Sequence, residues 1–149
     1  MLKGKAKIIV IVVVVLGIIG MFMPDKAPPE HIEKAQVLKG INAELFEANA
    51  SELIGKFNTV DDNLEMSCIV TVNGGSALAE VTLSDLAVWD NSSEVVRTEF
   101  VSILGDGMDE MAVKSAYNAS DTVGVNTVVL SPNGNKLAER TLFGEVKLY

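Results

Sequence analysis

An α+β domain behind a single transmembrane helix is the fold class this sequence predicts, and three observations lead to it. Residues 8–23 form an uninterrupted uncharged run. Two later segments repeat apolar side chains at the three- and four-residue steps of a helix. Each is followed by apolar and polar residues in alternation around a glycine-containing turn, the pattern of a hairpin. The expected order is α-ββ-α-ββ, packed as a four-stranded antiparallel sheet with helices on one face.

The apolar run comes first. Of its 16 residues, 12 are Ile, Val, Leu or Phe, worth on the order of −4 to −7 kcal/mol for insertion into a bilayer. Its β-branched residues favour a strand in water, but hydrocarbon requires every backbone group to be paired within the segment, which forces a helix. Ile18 and Asp25 stand where a signal peptidase needs small uncharged side chains, so the run is read as an uncleaved signal anchor. Lys3, Lys5 and Lys7 precede it, which places the N-terminus in the cytoplasm and the body outside, in an inner or plasma membrane crossed once. The resulting division is a basic tip at 1–7, an anchor at 8–23, a Pro-rich spacer at 24–29 and an extracytoplasmic domain at 30–149. Cleavage would instead release a secreted domain. A pilin-like filament subunit is a further alternative, weakened because no glutamate stands early in the helix and Pro24, Pro28 and Pro29 interrupt it.

From Glu30 to Phe57, Leu38, Ile41, Leu45, Phe46, Leu53 and Phe57 keep helical spacing, and the capping box in "NASE" at 49–52 predicts a split there. In "LEMSCIVTVNGGSALAEVTLSD" the two glycines set a register that pairs Val72 with Ala77, Val70 with Ala79, Cys68 with Val81 and Met66 with Leu83. The phase changes after Ser84 and Asp85, which predicts a bulge or bend. Asn91 and Glu94 suggest a second capping box. Val96, Phe100, Ile103, Leu104 and Met111 then continue as a helix, with a break expected at Gly105 and Gly107 and a left-handed cap at Asn118. Pro132, Asn133 and Gly134 suit a three-residue turn, pairing Val129 with Leu137, Val125 with Thr141 and Val123 with Phe143.

Charge and residue types then exclude functions. From Asp25 onward there are 9 basic and 20 acidic side chains, a charge of −11. Such a surface repels nucleic acid and anionic headgroups. The lone histidine, His31, and the lone cysteine, Cys68, leave no metal-ligand set and no disulfide. The hairpin register turns Cys68 inward as a structural thiol. Asp106, Asp109 and Glu110 lack the alternate-position oxygens of a calcium loop and read as a solvated turn. Asp61, Asp62 and Glu65 read as a turn into a strand. Asn49, Asn91 and Asn118 match the glycosylation pattern but are accounted for by helix capping.

No cofactor is expected. An enzyme would have to rely on carboxylates alone, which ranks last. The leading expectation is a membrane-tethered binding or assembly module, held by the bilayer through residues 8–23 and meeting a protein partner. The candidate contact residues are Ile69, Leu78 and Thr71, because Ile69 and Leu78 put apolar side chains on the otherwise polar face of the first hairpin, which marks either a contact patch or cover by another segment of the chain itself.

Overall fold

The computed structural model describes residues 39–60 and 64–149. The expected anchor, spacer and His31 lie outside these residues, and among the described residues no helix is long and apolar enough to cross a membrane. The body is α+β, as expected. It comprises α1 (Ala43–Val60), β1 (Met66–Asn73), β2 (Ser76–Leu83), the one-turn α2 (Ala87–Asp90), α3 (Glu94–Lys114), β3 (Gly124–Leu130), β4 (Lys136–Arg140) and β5 (Val146–Leu148).

Helix α1 opens where the Asn42 side chain accepts the amide of Leu45 at 3.3 Å, satisfying one of the donors that a helix start leaves without an intrahelical partner. It runs unbroken through Asn49, whose side-chain amide donates to Ser115 Oγ at 2.9 Å. The expected split at "NASE" therefore does not occur, because a tertiary partner takes the side chain that local capping would have used. Phe46, Ala50, Leu53, Ile54 and Phe57 form its buried stripe.

The first hairpin has the register read from its sequence, from Asn73 opposite Ser76 to Met66 opposite Leu83. Of the two turn glycines only Gly74 has positive φ, 63°, the dihedral sign pattern of a type II′ turn. The chain bends at Ser84 to Leu86 as expected, but continues as α2 rather than as strand. Helix α3 is capped by Ser93, whose side chain accepts the amide of Val96, rather than by Asn91, which donates instead to the Ala87 carbonyl at 2.8 Å. Gly105 and Gly107 lie inside α3, which continues to Lys114. Ser115 is its C-cap, and among the described residues no non-glycine has positive φ, so Asn118 is not a left-handed cap.

The largest correction concerns the sheet. It has five strands in the order β1-β2-β3-β4-β5, and it is mixed, because β2 and β3 are parallel. Helix α3 carries the chain back to the end from which β2 started, so β3 sets off in the same direction. The second hairpin begins with Leu130 opposite Lys136, as its turn predicts, then shifts by one residue so that Val129 faces Ala138 and Thr127 faces Arg140. The bulge replaces the expected pairs Val129–Leu137, Val125–Thr141 and Val123–Phe143. It turns Ala138 and Arg140 toward the helices, and a further turn over 141–145 adds β5.

Helices α1 and α3 pack on one face of the sheet, α1 over β1 and α3 over β3, β4 and β5. Between them Phe46, Leu53, Phe57, Leu104, Met108, Val81, Val125 and Val129 are fully buried. One end of the sheet, the proximal end, receives the chain: Ile41 donates to the Gly74 carbonyl and Gly40 to Asp121 Oδ2, both at 2.8 Å. The Gly74–Gly75 turn, Gly124 and the 141–145 turn share that end. The Ser131–Asn135 turn and Tyr149 lie at the opposite, distal end.

Candidate interaction surface on the open face of the sheet

Strand alternation sends Ser67, Ile69 and Thr71 of β1 away from the helices, together with Leu78, Glu80 and Thr82 of β2 and Asn126, Val128 and Leu130 of β3. Among the described residues no helix or strand covers this face. The sequence candidates meet here: Thr71 lies directly opposite Leu78, and Ile69 opposite Glu80. Ile69 is 70% exposed and Leu78 is half-buried.

Beside this apolar margin lies a polar cluster that sequence reading missed. Glu139 accepts from Asn126 Nδ2 and from the Tyr149 hydroxyl, both at 2.9 Å, and pairs with Lys136 Nζ at 3.4 Å. Lys136 also stands over the Tyr149 ring, 5.1 Å from its centroid. The hydrogen bond from Asn126, then that from Tyr149, hold the Glu139 carboxyl below its usual range. Val128 sits between Glu80 and Glu139 and is buried despite belonging to the open face. Its only sequence signal is the doubled valine of "NTVVL", where one of the two must face outward.

The helix side accounts for the other candidates. Cys68 faces inward, as the hairpin register requires. Burial, reinforced by the charge of Glu80, pushes its thiol up to about 12, leaving roughly one thiolate in ten thousand at pH 8. An unfolded thiol is roughly a quarter thiolate at that pH, so alkylation of the folded protein at pH 8 is expected to run on the order of a thousandfold slower than in urea. Equal rates in the two conditions would show that Cys68 is neither buried nor suppressed.

Asp106 and Asp109 are not a solvated turn; they bind Arg140. The buried guanidinium donates from Nη2 to Asp106 Oδ1 at 2.6 Å, from Nη1 to Asp109 Oδ2, and from Nη1 to the Gly105 carbonyl at 3.3 Å. Asp109 Oδ1 also accepts the Val125 amide at 3.0 Å. Gly105 is needed here because a β-carbon would come within 2.5 Å of Arg140 Cδ. Both carboxylates are thus engaged in joining α3 to β3 and β4. Among the described residues no group of three His, Cys, Asp or Glu side chains could hold a metal ion.

No protein family model, curated protein or solved structure matches this chain.

Proposed function

We propose that this protein is a non-catalytic, membrane-tethered binding or assembly module, with residues 8–23 in the bilayer and the open sheet face meeting a protein partner outside the cytoplasm. The observation that supports this reading is a sheet face that no helix or strand among the described residues covers. It presents an apolar margin at Ile69 and Leu78 beside the ordered Glu139–Tyr149–Lys136 cluster. An exposed apolar margin next to polar groups already fixed in place is the composition of a recognition surface, since little side-chain freedom remains to be lost on contact. The same placement argues against a carboxylate enzyme, because Asp106 and Asp109 are bound by Arg140 on the opposite side of the sheet.

The test is photocrosslinking of the full-length protein in native membranes from a benzophenone side chain at position 69. The same probe at Val95, which is 69% exposed at the start of α3, serves as the comparison. A discrete adduct from position 69, absent from position 95 and reduced at least tenfold by Leu78→Asp, is expected. Indistinguishable adduct patterns from the two positions, or no adduct from position 69, would overturn the assignment of this face.

A further inference from the structure

The chain contains two turns of the same construction at opposite ends of the sheet. In Ser131–Asn135, Ser131 donates to the Asn135 carbonyl and Gly134 to the Ser131 carbonyl, while Ser131 Oγ accepts from the Asn135 amide. In Thr141–Glu145, Thr141, Gly144 and Glu145 repeat all three bonds. Gly134 and Gly144 share the same left-handed backbone, φ 87° and 88°. The residues at the two tips differ in chemistry: Pro132 and Asn133 at the distal end, Leu142 and Phe143 at the proximal end. Turn geometry therefore does not require an apolar tip. Phe143 is nevertheless 93% exposed and Leu142 44%.

The apolar tip is at the end where the chain arrives. Gly124 links the two features, since its amide donates to Gly75 at 3.0 Å and a β-carbon on it would touch Leu142. Gly74, the other turn glycine, accepts from Ile41. Only residues 24–38 separate the apolar run from the first described residue, and a segment of that length reaches at most about 50 Å.

We propose that Leu142 and Phe143 dip into the bilayer surface and orient the domain on it, an inference that rests on the membrane tether proposed above. The tip is a turn whose apex ring stands almost wholly in solvent, an arrangement suited to a fluid interface rather than to a matched pocket. Thr141 and Glu145 flank the apex and remain in the headgroup water. With the tip inserted, the strands stand across the membrane plane, so the open face looks sideways toward a neighbour in the same membrane.

Full-length protein carrying Phe143→Trp, reconstituted in phosphatidylcholine vesicles with or without brominated acyl chains, tests the proposal, with Asn133→Trp as the matched variant at the distal turn. Trp89 is buried and provides a constant background measured in the unsubstituted protein. At least twofold quenching of the added emission by brominated lipid is expected at position 143 and none at position 133. If the protein floats with the vesicles but position 143 is unquenched, the insertion is wrong while the tether stands. A blue-shifted but unquenched signal from position 143 places the tip against protein, a second copy included, and also overturns it. Failure to float removes the tether itself and the inference with it.

Discussion

Replacing Arg140 with alanine is expected to lower stability by about 3 kcal/mol, at the lower end of the range for breaking a buried charge pair. The lower end applies because Asp106 is 59% exposed and rehydrates when its partner leaves, whereas Asp109, at 32%, regains less water. The glycine beneath the arginine gives a sharper readout. Gly105→Ala should gain about 1 kcal/mol from helix propensity alone, yet its methyl group would meet the Arg140 stem, which the carboxylates hold in place. Overpacking of this kind costs about 1–3 kcal/mol, so a net loss is expected in the native background. With Arg140→Ala already present the obstacle is gone, and the same substitution should become stabilising. Urea unfolding followed through buried Trp89 reads all four corners of the cycle. A stabilising Gly105→Ala in the otherwise native protein would show that Arg140 does not occupy this position.

Truncating Phe57 to alanine is expected to cost about 3–5 kcal/mol, the range for removing an aromatic ring from a packed core. Phe57 is 1% exposed, and its ring meets Phe100 edge-to-face at 5.9 Å between centroids, tying α1 to α3. The same substitution at Phe143 should change stability by less than about 0.5 kcal/mol, because the exposed ring has little packing to lose. Denaturation midpoints of the two variants check both values. A Phe57→Ala cost below about 1 kcal/mol would mean that α1 does not pack where it is placed here.

These two phenylalanines show where sequence reasoning works and where it stops. Phe57 continues a helical stripe with Phe46 and Leu53, so its burial follows from spacing. Phe143 also satisfied a pattern, facing Val123 in an extended hairpin, but the bulge after Leu130 cancelled that register. A single inserted residue in β4 exchanged the faces of Leu137 and Ala138, and turn chemistry near Pro132 contains no signal for it. The first hairpin was fully legible because two adjacent glycines and an unbroken alternation agree on one register. Local capping signals were less dependable. The boxes at Asn49 and Asn91 are set aside: Asn49 takes Ser115, 66 positions away, and Asn91 turns back to the Ala87 carbonyl one helical turn earlier while Ser93 takes over the cap.

The Arg140 cluster lay furthest from view. Its members are separated by 31 to 35 positions, and "GDGMDEM" read in isolation is equally consistent with a helix break. Only the seating of the arginine stem on Gly105 explains why a helix tolerates glycine there. For the candidate contact surface, alternation alone brought Ile69, Leu78 and Thr71 to one face. The Glu139–Tyr149–Lys136 part required β5, which the sequence pattern did not announce.

By itself the sequence determined the class of the body, its two long helices, the register of the first hairpin, the inward cysteine and the acidic balance. Each is set by neighbours a few residues away or by composition. Tertiary structure alone decided the parallel pairing of β2 with β3, the bulge, the fifth strand, the union of Arg140 with α3 and the docking of Gly40 and Ile41 at the end of the sheet that carries the 141–145 turn. These depend on which distant surfaces meet, and local periodicity specifies which side of an element is apolar without specifying what that side will touch.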